Sequence, residues 1–144
     1  MRVVPFLPCH TEYAAKAEEL LFPDPWSRDG IENELEKASS VSLAVIDDEG
    51  HFAGYLFASD EDCVYIEKIG VLPEYRRKGC GTALIDALCS RCPQDAVFDV
   101  RVSNTSAIAF YERLGFERLA LRKRFYSSPA EDGYTYIRRK DQNG

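Results

Sequence analysis

The sequence predicts a mixed α/β (α+β) fold with a mostly antiparallel sheet of six to seven strands, flanked by about four helices. Three observations lead to this prediction. Short runs rich in Val, Ile, Phe and Tyr recur along the chain and end at Gly, Pro or Asp. Segments with apolar residues at helical spacing lie between them. The length of 144 residues suits one domain, so residues 1–144 are expected to form a single unit.

The first elements are expected to be one strand and two helices. Residues 3–7 form the strand, and Thr11 can cap a helix over 12–21. A segment with two prolines then makes a rigid turn, because proline fixes φ. Ser27 caps the second helix, over 28–38.

Three strands follow the helices. The runs 41–46 and 52–57 flank Asp47–Gly50, a turn sequence that favours a β-hairpin. Residues 64–72 form a third, longer strand that ends at Pro73. The hairpin makes this part of the sheet antiparallel.

The second half of the chain alternates helices and strands. Helices are expected over 81–91 and 105–114, with a strand over 96–102 between them. Two more strands, over 116–126 and 133–139, complete the sheet. Two helices in the second half of the chain therefore connect strands of an otherwise antiparallel sheet.

Composition and cysteine spacing restrict the class of protein. Hydrophobic residues make up 45% of the chain and charged residues 29%, which suits a globular domain with a sizeable core. No apolar run approaches about 18 residues, so no membrane span is expected. Five irregularly spaced cysteines suggest free thiols and a cytoplasmic location. The lone C-x-x-C at Cys89 and Cys92 has no second pair, so no metal site is expected.

The net charge of −6 conceals two halves of opposite sign. Residues 1–67 contain 4 basic and 15 acidic residues (−11), and residues 68–144 contain 14 basic and 9 acidic residues (+5). A basic half on an acidic protein indicates a small polyanionic ligand and argues against nucleic acid as a partner.

The segment from Ile69 to Thr82 contains the clearest chemical motif. A strand leads into the basic triplet Arg76-Arg77-Lys78, then into Gly79-Cys80-Gly81, where a helix begins. Two glycines allow backbone N–H groups to converge on an anion at the positive end of a helix dipole. The segment matches neither the dinucleotide fingerprint nor the P-loop, so we interpret it as a different phosphate-binding turn.

This segment resembles the acetyl-CoA-binding motif [QR]-x-x-G-x-[GA] of the GNAT N-acetyltransferase superfamily. Residues 96–116 resemble the strand and helix that follow the motif in that superfamily. Phe22-Pro-Asp-Pro-Trp-Ser27 and Arg122-Lys-Arg-Phe-Tyr126 are similar to elements of the RimI-type branch, the ribosomal-protein-alanine N-acetyltransferases. The resemblance therefore implies the acyl-CoA N-acyltransferase fold and acetyl-CoA as cosubstrate, with no metal.

The resemblance also implies which residues bind acetyl-CoA. The strand backbone would pair with the pantetheine arm and the acetyl carbonyl, and Asn104 would contact the pantetheine. The basic triplet and the turn amides would hold the pyrophosphate. The implied binding residues are Ile69, Gly70, Val71, Arg76, Arg77, Lys78, Gly79, Cys80, Gly81, Thr82 and Asn104. The Cys80 side chain is expected only to fill space.

Tyr111 is implied as the general acid near the CoA sulfur. It shares a helix face with Asn104, and a phenol of pKa about 10 can protonate a thiolate of similar basicity. A core aromatic with a satisfied hydroxyl is the alternative. Trp26 and Tyr126 are implied at the substrate groove, although Trp26 can equally cover the core.

Two carboxylates are candidates for the general base. Asp99 lies where the branch usually has a catalytic Glu, and it is favoured, although pairing with Arg101 on the same strand face is an alternative. Glu67 is the rival, and strand alternation predicts that it shares a sheet face with Tyr65 and Ile69.

The predicted reaction is direct attack of a neutral amine on the thioester in a ternary complex. An oxyanion contact comes from a strand amide near Val71 and a proton from Tyr111. A protein N-terminal α-amine is the favoured acceptor, because its pKa near 8 leaves more of it neutral than a lysine amine. The alternatives are a small-molecule amine, a protein lysine, or a non-catalytic CoA-binding sensor.

Overall fold

A computed structural model describes residues 1–140 and has the predicted order of elements. Short 3₁₀ turns lie at Pro8–His10 and Pro73–Tyr75. The strands are β1 (Arg2–Pro5), β2 (Leu43–Ile46), β3 (Phe52–Asp60), β4 (Val64–Val71), β5 (Ala96–Arg101), β6 (Glu117–Ser127) and β7 (Ala130–Arg138). The helices are α1 (Thr11–Leu21), α2 (Arg28–Glu36), α3 (Cys80–Arg91) and α4 (Thr105–Arg113).

The strands form one seven-stranded sheet in the order β1-β2-β3-β4-β5-β7-β6. Every pair is antiparallel except β4 with β5, which is parallel. The predicted mixed fold, with its mostly antiparallel sheet and four helices, is therefore confirmed. Within residues 1–140, no helix is both long enough and apolar enough to cross a membrane.

The sheet has a hydrophobic core on each face. Helices α1 and α2 cover one face, where Ala14, Ala17 and Ile31 pack against Tyr55 and Phe57 of β3. Helices α3 and α4 cover the other face in a larger cluster. The first eight residues of β3 are buried because the strand runs through the middle of the sheet between these two layers.

One predicted helix cap is confirmed and the other is wrong. The Ser27 side chain caps α2 by accepting a hydrogen bond from the Gly30 amide at 3.0 Å. Thr11, in contrast, is the first residue of α1, and its N-cap is His10. The 3₁₀ turn before α1 runs directly into the helix, so Thr11 has helical φ and ψ and cannot act as the cap.

A fully buried carboxylate, Glu18 of α1, joins three elements on the α1–α2 face. It lies 3.4 Å from the Lys68 ammonium, accepts the Trp26 amide at 2.9 Å and accepts the Tyr55 hydroxyl. Burial raises the pKa of the Tyr55 phenol, so this hydroxyl remains a donor. Gly70 permits the contact, because a Cβ there would lie 2.5 Å from the Tyr55 oxygen.

We expect Glu18→Ala to lower the free energy of unfolding by about 3 kcal/mol, because it leaves a half-buried cation and a buried phenol without their partner. Urea unfolding followed by circular dichroism measures the change. Glu19→Ala is the matched control, since Glu19 is the exposed neighbour on the same helix and should change stability by less than about 0.5 kcal/mol. Equal losses in the two variants would contradict the role of the network.

Candidate active site

The two parallel strands in the middle of the sheet separate soon after they meet. β4 and β5 pair only at Val64 with Ala96 and at Tyr65 with Val97. Beyond these pairs, the edge of β4 that faces β5 has no strand partner in residues 1–140. An extended ligand with amide groups can therefore add to β4 along this edge.

The backbone of Val71 points into the opening. The Leu72 amide donates to the Ala53 carbonyl of β3, 2.9 Å away. Since successive N–H groups of a strand point to opposite sides, the Val71 amide faces away from β3 and towards the opening. Ile69, two residues earlier, has the same orientation, so the strand presents backbone donors and acceptors to a ligand.

The glycine-rich turn follows β4 and leads into α3. Arg77 and Gly79 both have positive φ, at +61° and +84°, and Gly79 is the N-cap of α3. Glycine has no side chain to cap a helix, so the first amides of α3 remain available to an anion. A Cβ on Gly81 would lie 2.9 Å from the Phe110 ring, which explains the second glycine.

The basic triplet before α3 is exposed to solvent, whereas Cys80 is buried at 3% exposure. Burial raises the pKa of the Cys80 thiol, which disfavours the thiolate. An exposed triplet beside an uncapped helix N-terminus and an open strand edge fits a ligand with phosphates and a long amide arm. Acetyl-CoA has these features.

An open cavity of about 820 Å³ lies where β4 and β5 diverge. Its charged and phenolic lining residues come from five separate parts of the chain. They are Lys37, Glu61, Tyr65, Glu67, Asp99 and Tyr126. Three carboxylates against one ammonium make the lining suitable for a cationic amine.

Glu67 and Ile69 lie on opposite faces of the sheet, whereas strand alternation predicts that they share a face. Phe57 pairs with Lys68 and Ala58 with Ile66, so Glu67 is the extra residue of a β-bulge. The bulge reverses the alternation, and Ile69 packs towards the α3–α4 core while Glu67 contacts Lys37 near the end of α2. The predicted shared face of Glu67 and Ile69 is therefore wrong, because an inserted residue changes the period.

The Glu67 carboxyl group is partly withdrawn from water, with 28% of its side chain exposed. Ser59 donates a hydrogen bond to one of its oxygens at 3.3 Å, and the Lys37 ammonium lies 3.6 Å from the other. Burial and the neighbouring Glu34 carboxylate raise the pKa of Glu67 to about 7, against the lowering effects of Lys37 and Ser59. A carboxylate with this pKa can accept a proton near neutral pH.

Asp99 is exposed on β5 and accepts a hydrogen bond from the Thr135 hydroxyl at 2.5 Å. Thr135 in turn accepts a hydrogen bond from the Arg122 guanidinium at 3.1 Å. Arg101, the alternative partner for Asp99, forms its ion pair with Glu131 at 3.3 Å instead. Asp99 thus remains available to the cavity.

Tyr111 lies in the α3–α4 core with 4% exposure. Its ring stacks on Phe98, which lines the cavity, at a centroid distance of 3.7 Å. Burial raises the pKa of the phenol above its usual range, and its hydroxyl has no hydrogen-bond partner within residues 1–140. The ring is part of the core, as the alternative expected, but the hydroxyl is unsatisfied, so it is free to donate to a ligand.

The three remaining predicted site residues are Asn104, Tyr126 and Trp26, and each has different neighbours. Asn104 caps α4 by accepting the Ala107 amide at 3.3 Å. Tyr126 lines the cavity under the Arg101 guanidinium, which is 4.4 Å from its ring centroid. Trp26 stacks on Phe57 at 5.3 Å and is not among the residues that line the cavity. Its role in substrate binding stays a prediction.

Several residues at the site were not predicted from the sequence. Lys37, Ser59 and Glu61 line the cavity, and Glu34 and Thr135 contact its carboxylates. They come from α2 and the residue that follows it, β3, the turn after β3, and β7, and belong to no local motif. The acidic excess of the first 67 residues is consistent only with the charge of Glu34 and Glu61.

The fold and the site together define an acetyl-CoA-dependent N-acetyltransferase. The profile of the "Acetyltransferase (GNAT) family" matches residues 10–116, and the chain belongs to this family. The match covers both the turn before α3 and the helix that carries Tyr111.

Among named relatives, the chain is 33% identical over 114 residues to the "[Ribosomal protein bS18]-alanine N-acetyltransferase" of Escherichia coli strain K12, covering 76% of this chain and 74% of that protein. It is 29% identical over 127 residues to a protein of Bacillus subtilis strain 168 named "Putative [ribosomal protein bS18]-alanine N-acetyltransferase", covering 84% and 83%. The crystal structure of Arabidopsis thaliana NAA60 in complex with acetyl-CoA has the same fold. Its TM-score is 0.83 at 21% identity, covering 95% of this chain and 98% of that one.

Proposed function

We propose that the acceptor is the free α-amine of a protein N-terminus, with the N-terminal alanine of a ribosomal protein as the first candidate. The observation that carries this proposal is the open cavity, lined by Glu67 and Asp99, at the point where β4 and β5 separate. An open cavity with excess negative charge suits an extended peptide with a cationic end. The names of the bacterial relatives support the same acceptor.

Glu67 is the general base in this proposal, and Asp99 helps to hold the incoming ammonium. This order reverses the one favoured from the sequence, because the pKa of about 7 at Glu67 depends on burial beside α2. Glu67 takes one proton from the substrate ammonium, and the neutral amine is then the nucleophile. Asp99 is held by a hydrogen bond from Thr135.

The remaining groups act on the bond that breaks. Acetyl-CoA supplies an acetyl thioester, whose carbonyl carbon accepts the amine. The Val71 amide donates to the carbonyl oxygen. As the N–C bond forms and the C–S bond breaks, the Tyr111 hydroxyl donates its proton to the sulfur, and the second proton that the nitrogen loses restores the Tyr111 phenol. The amides of the Gly79–Gly81 turn hold the phosphates, and Asn104 contacts the pantetheine arm.

A panel of acceptors tests the proposed substrate. Ala-initiated peptides, Lys peptides with blocked N-termini and small polyamines are compared by kcat/KM. We expect the Ala-initiated peptides to be preferred by at least about tenfold, because an α-amine of pKa near 8 is more often neutral than a lysine amine of pKa near 10.4. Failure of every α-amine peptide would overturn the proposed acceptor and leave the acetyltransferase assignment intact.

The pH dependence of kcat/KM distinguishes the two carboxylates. Glu67 must lose its proton to act, so we expect the rate to fall about tenfold per pH unit below pH 7, the pKa of Glu67. Glu67→Gln should remove the limb at pH 7, leave only the limb of the acceptor amine near pH 8, and lower the rate at pH 8 by about 100-fold. Asp99→Asn should keep the limb at the same pH. The opposite pattern would identify Asp99 as the base.

We further propose that the protein acts in the cytoplasm, with neither nucleic acid nor membrane as a partner. All five cysteines are free thiols, which supports a reducing compartment. The acidic cavity supports a cationic acceptor and disfavours a polyanion.

A further inference from the structure

The second carboxyl group beside Glu67 is almost completely buried. Glu34 of α2 has only 4% of its side chain exposed, and its Oε1 atom lies 2.8 Å from the Lys37 ammonium. Its Oε2 atom is buried with no hydrogen-bond partner within residues 1–140. A carboxylate oxygen that is removed from water and has no hydrogen bond raises the free energy of the folded state. The Glu34–Lys37 ion pair therefore differs from an ion pair between two exposed side chains, which changes stability little.

Glu34, Lys37 and Glu67 form one charge cluster. The Lys37 ammonium is shared, at 2.8 Å from Glu34 and 3.6 Å from Glu67. When Glu67 is protonated, its hydroxyl can donate to the Glu34 carboxylate, and this hydrogen bond favours the protonated form. One cation between two carboxylates leaves a net charge of −1 when both are ionised, so the cluster readily holds one proton.

The other polar and charged groups that face Glu67 come from the elements around the cavity. They are Ser59 of β3, Glu61 of the turn after β3, Tyr65 of β4, Asp99 of β5 and Tyr126 of β6. Among side-chain groups, Glu34, Lys37 and Ser59 have the largest effects on the pKa of Glu67. Of these three, only Glu34 and Lys37 carry charge.

We propose that Glu34 and Lys37 are positioning residues that act on Glu67 in opposite directions and thereby determine when it can accept a proton from the acceptor amine. This inference rests on the proposed role of Glu67 as general base. Glu34 keeps the proton on Glu67, and Lys37 favours its release. Neither residue needs to touch the reacting atoms, because both act through the Glu67 carboxyl group.

The direct test measures the Glu67 titration by carboxyl-carbon NMR in the full-length protein. We expect Glu34→Gln to lower the Glu67 midpoint by about 1 pH unit, because it removes a neighbouring negative charge. Lys37→Gln should raise the midpoint, because it removes the cation. Glu36→Gln is the control, since Glu36 is exposed on the same helix, and it should leave the midpoint unchanged.

The kinetic test compares kcat/KM at two pH values. At pH 6, Glu34→Gln should raise kcat/KM about fivefold, since a lower midpoint increases the ionised fraction of Glu67. The variant and the original enzyme should be nearly equal at pH 8. Lys37→Gln should lower the rate at pH 6. A merely structural role of Glu34 would lower the rate at both pH values and raise it at neither.

The outcomes separate this inference from the proposed function. An unchanged Glu67 midpoint in both variants overturns the inference. If the substitutions shift the Glu67 midpoint but the pH dependence of kcat/KM does not change, Glu67 is not the general base. The charge coupling of Glu67 to Glu34 and Lys37 then still stands. If Glu34→Gln does not fold, Lys37→Gln decides the question alone, because Lys37 is 49% exposed and its loss leaves no large cavity.

Discussion

Tyr111→Phe should lower kcat by about 1000-fold and leave the affinity for acetyl-CoA nearly unchanged. The substitution removes one hydroxyl, which in the proposed reaction protonates the departing thiolate. The ring should keep its contact with Phe98, 3.7 Å away between centroids, so the core is preserved. Because the hydroxyl has no partner within residues 1–140, its loss should not lower the melting temperature. Steady-state kinetics and acetyl-CoA titration calorimetry measure the two effects.

Tyr136→Phe is the matched control for this substitution. Tyr136 is also fully buried and stacks on the same Phe98, but its hydroxyl donates to Glu112 at 3.0 Å. We expect this variant to lose about 1 kcal/mol of stability and to keep its kcat. Unchanged turnover in Tyr111→Phe would remove Tyr111 from the mechanism.

Gly79→Glu should abolish the binding of acetyl-CoA. At a concentration 100 times Kd, a ligand stabilises a protein by roughly 2.7 kcal/mol, which corresponds to a rise in Tm of roughly 5–10 °C for a chain of this size. The substitution introduces a negative charge beside the amides that would hold the phosphates. It also forces a side chain onto a residue with φ of +84°, which costs about 1–2 kcal/mol. Thermal unfolding with and without acetyl-CoA measures both effects.

Gly115→Glu separates backbone strain from ligand binding. Gly115 has φ of +90° and lies just beyond the end of α4, with no atom within 4 Å of a Cβ built on it. The control should therefore show a similar loss of stability in the free protein but keep the rise in Tm with acetyl-CoA. If Gly79→Glu keeps the same rise as Gly115→Glu, the turn before α3 does not hold the phosphates.

The local features of the site could be predicted from the sequence because each depends on residues close together in the chain. A strand, a basic triplet and two glycines at the start of a helix define the phosphate turn within 14 residues, Ile69–Thr82. Helical spacing likewise predicts that Asn104 and Tyr111 lie on the same side of α4. Alternation, turn residues and caps were enough to predict every strand and helix, although not the cap at Thr11.

The orientation and the neighbours of the two site carboxylates, Glu67 and Asp99, depend on tertiary structure and could not be predicted from the sequence. The bulge at Glu67 reverses the strand period, and no residue type in β4 marks it. The pKa of about 7 at Glu67 arises from burial and from Glu34, which is 33 positions away in the sequence. The Asp99 carboxylate is held in place by the hydroxyl of Thr135 of β7. Local sequence determines backbone conformation, but the proton affinity of a side chain depends on charges and solvent exclusion that only the folded chain brings together.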